Sequence, residues 1–156
     1  MELLDHLAQW PGAFVLRRSS LAYLLVNAAH ILSIALLVGP VVTLDLRLLG
    51  LFGRVPLPPL HSVLVRTGLA GFACASATGL ALFSVRPVEY AQNPAFLAKI
   101  AILVLAVLNL FVLTRLESWR VARDGGPVSG AVRLSALASI LLWLGAVVAG
   151  RWIGFV

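Results

Sequence analysis

Cysteine is almost absent from this chain: Cys74 is the single one in 156 residues. That excludes an intrachain disulfide, and with no CxxC and no Cys/His ladder it excludes a zinc-finger type of site. Charge is equally scarce, at 12% of residues, with only six acidic side chains. Missing too are HExxH, GxSxG and any phosphate-cradling loop, and nothing resembles a nucleophile beside a base. Whether the chain is an enzyme is therefore left open. The net charge of +6 raises nucleic acid as a partner, but no basic stripe with interleaved aromatics supports it, so nucleic acid is excluded. The N-terminus, Met1-Glu2-Leu3-Leu4-Asp5, lacks the basic region and early apolar core of a cleaved signal peptide, so the first span is expected to be retained. No repeat links the two halves, and no segment is of low complexity.

What is present is apolar. Hydrophobic residues make up 61% of the chain and the mean hydropathy is +1.02, more than a water-soluble domain of this size hides. Four stretches carry almost no charge: Ser20–Leu44, Thr67–Val85, Ile100–Thr114 and Leu134–Gly150. With their apolar flanks, each suits a hydrocarbon layer about 30 Å thick. The expected fold is all-α: a transmembrane antiparallel four-helix bundle with a short N-terminal interfacial helix. One domain, 1–156, is expected, with the interfacial helix at 2–10 and spans at about 20–46, 60–85, 94–118 and 130–153.

Local signals set these limits. Leu3, Leu4, Leu7 and Trp10 recur at helical spacing, and Pro11-Gly12 is expected to stop that first segment. Ser19 or Ser20 caps the first span, which contains Pro40 and a kink expected there. Pro56, Pro58 and Pro59 are expected to delay the second helix until Pro59. Gly71, Ala75 and Gly79 give that helix a face of small residues, and Ala138, Ala146 and Gly150 give the fourth another. Asn93-Pro94 starts the third helix as cap and first position. Asp124-Gly125-Gly126-Pro127 breaks it.

Basic residues set orientation. Arg47, Arg54, Arg66, Arg115, Arg120, Arg123 and Arg133 flank one side; Arg17, Arg18, Arg86, Lys99 and Arg151 flank the other. The excess favours both termini outside, periplasmic if the membrane is a bacterial inner membrane. Trp10, Trp119, Trp152 and Tyr90 are expected at the membrane–water interfaces.

Polar groups within the spans are the candidate functional residues, because hydrocarbon makes them costly. Tyr23, Asn27, His30 and Ser33 share a face that is expected to point into the bundle. His30 lies about 16 Å along its helix from the cap, near the midplane. Its imidazole suits an axial ligand to haem b, a copper ligand, or a proton carrier beside a quinone, with Asn27 as orienting partner. The bland alternative is a neutral ring bonded to a neighbouring carbonyl or Asn. His6 and His61 lie roughly half a bilayer from His30, which disfavours a bis-His haem within one chain. Cys74, at similar depth, would suit Cu(I) beside His30, though small-residue packing explains it more simply. Lys99 either snorkels or holds a propionate or anionic headgroup. Asn109, Ser135 and Ser139 read as interhelical hydrogen-bonders. Asp45 with Arg47 reads as a solvated interfacial pair or a docking contact. Glu89 and Tyr90 are expected to stand exposed in a compact loop and to offer a partner a contact.

The strings HILSIALLVGPVVTLDLRLLG, YAQNPAFLAKIAIL and the following Leu108-Asn109 resemble a family of small bacterial four-helix membrane proteins of unknown function, over nearly the whole chain. More remotely, the architecture is similar to copper-resistance D-type membrane domains and to four-helix b-type cytochromes. In the first family a His often stands four residues after the Asn; here that position is Leu113. The resemblance implies a membrane fold and hints at redox or metal chemistry.

Three functions follow as expectations. The first is a redox or metal-handling subunit in which His30 binds haem b or copper, with Tyr23, Asn27 and Lys99 in support and Cys74 as a weaker metal ligand. The second is a non-catalytic anchor or assembly subunit for a membrane or periplasmic protein. The third is a small transporter. All have the lipid bilayer as partner, and a homo-oligomer is compatible with the small-residue faces.

Overall fold

A computed structural model describes residues 2–155; the side chains of Glu2, Leu3 and Asp5, and so the expected place of Leu3 in an apolar stripe, lie outside the described residues. Among the described residues every regular element is helical. The order is α1 (Glu2–Gln9), α2 (Pro11–Arg18), α3 (Ser20–Leu49), α4 (Leu57–Phe83), α5 (Pro87–Gln92), α6 (Pro94–Arg115), α7 (Glu117–Arg123) and α8 (Gly130–Trp152), closed by a 3-10 turn at Ile153–Phe155.

Four of these helices are long and apolar enough to cross a membrane, α3, α4, α6 and α8 with its closing turn, at mean hydropathies of 2.1, 1.4, 2.7 and 2.0. At most 17% of any one span's most apolar window is buried inside the protein. The rest of that apolar surface faces outward, which water would not tolerate and acyl chains do.

The limits differ from expectation where proline is concerned. The first segment does stop before Pro11, at Gln9, but Pro11 also opens a further helix, α2, because the missing N–H is one of the orphan donors of a first turn. For the same reason α4 begins at Leu57, with Pro58 and Pro59 in its first turn. The third span ends at Arg115; Leu116 is extended and α7 follows as a separate short helix. The caps follow the sequence: Ser19 accepts from Ala22 N–H, Ser129 from Val132 N–H, and Asn93 Oδ1 from Ala95 and Phe96 N–H. Gly50 ends α3 at φ 112°, a left-handed conformation that favours glycine.

Packing joins the spans as α4–α3–α8–α6: α3 lies most extensively on α4, α6 on α8, and an α3–α8 seam connects the pairs. The small-residue face of α4 is the reason for the first contact. Gly68 lies beside Pro40 and Gly71 on the backbone of Leu36 and Leu37, so two helix axes approach more closely than larger side chains allow. At one end, called here the α7 end, Leu48, Leu57, Leu113, Trp119, Ala122, Val132 and Ala136 form the apolar core. Trp119 belongs to that core and not to an outer aromatic belt; it is 5% exposed, with the His61 ring edge-on at 5.4 Å. At the opposite, α5 end, α1 packs on α5 and α2 on α3 and α4. There Trp10 Nε1–H donates to Ser84 Oγ at 2.8 Å, and Arg17 donates to Val85 O at 3.2 Å and to Ala8 O.

Candidate functional site

His30 projects from α3 onto Thr78 and Gly79 of α4. Its Nδ1 lies 2.9 Å from Thr78 Oγ1. Thr78 has one hydroxyl proton, and that proton goes back to its own helix: Oγ1 is 2.6 Å from Cys74 O and 3.3 Å from Ala75 O. The Ala75 carbonyl is also within hydrogen-bonding reach of the imidazole, and a carbonyl can only accept. With the Thr78 proton committed to its own helix, the short Nδ1–Oγ1 contact is satisfied by a proton on Nδ1, and in that neutral tautomer Nε2 carries the free lone pair.

Gly79 makes this geometry possible. A Cβ there would lie 3.1 Å from His30 Cε1, so the ring rests on bare backbone. The contact also fixes depth relative to the neighbour. Thr78 stands five residues before the last residue of α4, Phe83, or about 7–8 Å from that end at 1.5 Å per residue. The start of α3, ten residues before His30, thus extends past the end of α4.

Lys99 enters from α6 and lies along Gly150 of α8: a Cβ at Gly150 would meet Nζ at 3.4 Å and Cδ and Cε at 3.5 Å. The ammonium is close enough for its charge to act on His30. Among the described residues no carboxylate pairs with it; the ion pairs found there join Arg86 to Glu89, Arg120 to Glu117 and Arg123 to Asp124. A half-buried cation and an imidazole therefore share one region, with no carboxylate ion-paired to the cation among the described residues.

Tyr90 covers the α5 end. Its ring packs with Phe83 and Phe96, at 6.1 and 5.7 Å between centroids, and those two stack on each other at 5.3 Å. Burial pushes the Tyr90 phenol above its usual value, and the hydrogen-bonding Tyr23 hydroxyl pushes the same way. Tyr90 is thus half-buried and engaged in packing, whereas Glu89 is exposed.

The structure divides the predicted polar face of α3. Ser33 is buried and donates to Ala29 O at 2.7 Å, His30 is half-buried, and Tyr23 and Asn27 are exposed. Asn27 does not orient the imidazole; Thr78 does. Thr78 escaped the sequence reading, although a hydroxyl next to Gly79 on a small-residue face is the signal that finds it. Cys74 contributes its carbonyl to the Thr78 bond, and its side chain is exposed. Among the described residues no three His, Cys, Asp or Glu side chains gather as a metal site. His61 lies at the α7 end against Trp119.

Two other polar features stand away from His30. Asn109 donates Nδ2–H to Ser135 O and accepts from Ser135 Oγ, both at 3.0 Å, the interhelical link expected of them. Asp45 corrects the sequence reading. It is 5% exposed, while Arg47 turns to the loop and donates to Val55 O at 2.8 Å and Gly53 O at 3.3 Å. Residues two apart on a helix point about 200° apart, so these two cannot pair on one face. Two clefts open elsewhere. One of about 480 Å³ lies between α6 and α8 and includes Pro94, Ala98, Gly145 and Trp152; one of about 300 Å³ lies at the α7 end beside Arg47, Pro58 and Gly125.

Four apolar spans enclosing a sparse set of polar side chains define an integral, multi-pass α-helical membrane protein. The chain belongs to a family of unknown function, DUF6644, whose model matches residues 19–156. No curated protein and no solved structure matches it.

Proposed function

We propose that this protein is a redox-type membrane subunit in which His30 Nε2 meets a cofactor or carrier and Lys99 meets the anionic part of it. The observation that carries this reading is the hydrogen bond from His30 Nδ1 to a threonine whose own proton is already committed. A ligating or proton-accepting imidazole needs one nitrogen fixed and the other free. Haem b or copper would take Nε2 as a ligand; a quinone carbonyl would use the same nitrogen when it carries a proton. A haem propionate or a lipid phosphate would suit the Lys99 ammonium.

The donor set limits the cofactor. One imidazole supplies one ligand, and Leu113 stands where the family resemblance puts a second His. A haem or copper here needs its remaining ligands from a partner subunit, a second copy of this chain, or an exogenous molecule. The wider reading is an antiparallel four-helix bundle in a bacterial inner membrane, with α1 lying in the interface and both termini periplasmic. The small-residue faces and the basic excess at the α7 end support it.

The test is a visible spectrum of the detergent-purified protein, oxidised and reduced, with metal analysis. A Soret band or bound copper that His30→Ala removes supports the reading. A protein without chromophore or metal, whose quinone binding is untouched by His30→Ala, overturns it.

A specific observation favours a second reading, that of a membrane anchor or assembly subunit. The α6–α8 cleft is open and lined by small apolar residues with Trp152 among them, a shape that suits a partner's helix. A colourless protein that co-purifies with a defined membrane partner, and loses it in Ala98→Leu, supports that alternative. A small transporter ranks last, because few polar groups line any path through the spans.

A further inference from the structure

Asp45 is the most deeply buried ionisable side chain among the described residues, and its Oδ2 has no hydrogen-bond partner there. It lies on α3 against α8, where the Ser139 hydroxyl is within hydrogen-bonding reach of the carboxyl. Ser139 stands one turn along α8 from Ser135, which is bonded to Asn109 of α6. The carboxyl thus begins a short polar seam through otherwise apolar packing.

No cation faces it. On its own helix, Arg47 is held by the loop carbonyls of Val55 and Gly53. On α4, His61 packs against Trp119 and Arg66 is exposed. On α8, Arg133 is exposed. Arg115 of α6 lies over the Phe111 ring at 4.5 Å, and Arg123 of α7 is paired with Asp124. An ionised carboxylate in this place would be a buried charge without a counter-ion, the costliest arrangement a protein interior offers. The helix makes it worse. Asp45 is four residues from the C-terminal residue of α3, Leu49, where the partial negative charge of the helix end disfavours a second negative charge.

We propose that Asp45 is a proton-binding site, a carboxyl that holds one proton in the α3–α8 seam at neutral pH and exchanges it with water at the α7 end. The proton resolves the geometry. A carboxylic acid has no charge to compensate, and its O–H can donate to Ser139 Oγ. Exchange is short-ranged, because four residues of helix separate Asp45 from the loop, roughly 6 Å at 1.5 Å per residue. The site does not depend on what His30 binds.

Infrared difference spectroscopy of the full chain in lipid, across a pH series, tests this. The expected result is a C=O stretch of a protonated carboxylic acid at neutral pH that shifts in heavy water, fades as pH rises and is absent from Asp45→Asn. The surface variant Glu89→Gln should keep it, and Ser139→Ala should move its frequency by removing the hydrogen-bond partner. Thermal unfolding supplies an independent readout. Asp45→Asn, which mimics the neutral acid, should unfold at least as high as the parent at neutral pH, and the gap should widen as pH rises. Finding only carboxylate stretches at neutral pH overturns the proposal. So does an acid band displaced by sodium at constant pH, which would make this a metal-cation site, or an Asp45→Asn protein that fails to fold.

Discussion

Gly71 of α4 rests directly on the peptide that joins Leu36 to Leu37 of α3: a Cβ at Gly71 would lie 2.5 Å from Leu37 N and 2.6 Å from the Leu36 carbonyl carbon. The Leu36 carbonyl is the one that Pro40, lacking an N–H, leaves without its helical partner. Proline on one helix and glycine on the other therefore meet at the tightest point of the α3–α4 pair. That contact sets the register which brings Thr78 to His30.

Gly71→Ala should force the two helices apart, since the obstruction is backbone and cannot rotate away. Overpacking of this kind costs about 1–3 kcal/mol, read as a lower unfolding temperature in detergent. Gly39→Ala is the control. Nothing lies within 4 Å of its added Cβ, so it should match or exceed the parent in stability, as alanine favours helix by up to about 1 kcal/mol.

Thr78→Val keeps the shape of the side chain and removes the acceptor that holds Nδ1–H. The parent His30 should show the nitrogen chemical shifts of a single Nδ1–H tautomer in labelled protein. The valine variant should lose that preference. An unchanged spectrum would show that Thr78 does not fix the ring. Thr78→Ser should behave as the parent.

Lys99→Met should raise the unfolding temperature of the unliganded protein, because a half-buried cation that no carboxylate pairs with among the described residues is replaced by an apolar chain of similar length. The same variant should weaken binding of anionic lipid or of any propionate-bearing cofactor, measured by retention of lipid through purification. A fall in stability without loss of lipid would assign Lys99 a purely structural part.

The phenol of Tyr90 should ionise above the usual tyrosine range, followed by phenolate absorbance in a chain that has only two tyrosines. The folded state binds this proton more tightly than the unfolded one, so the stabilisation is complete below the ordinary tyrosine value and is lost as pH rises through the folded value. Tyr90→Phe should flatten the alkaline fall in unfolding temperature and leave neutral pH little changed.

Much of the fold was legible in the chain. Spans could be read from uncharged runs because lipid demands them, and caps from Ser19 and Asn93 because an unsatisfied N–H at a helix start needs a local acceptor. The unforeseen α2 and the earlier start of α4 share one cause: proline breaks a helix interior but opens a helix start, and the sequence does not mark which it is doing.

The amino-acid sequence by itself determined the solvent, the helical class, the number of spans and the presence of an imidazole within the first of them, since each follows from composition or from neighbours within a few residues. Only tertiary structure decided that Thr78 rather than Asn27 holds His30, that Trp119 belongs to the core, and that Asp45 turns away from Arg47 into the α3–α8 seam. Those outcomes depend on the rotation and register of one helix against another. Such features are fixed by close contacts between residues far apart in the chain, such as Leu36 with Gly71 and Asp45 with Ser139, which no local pattern records.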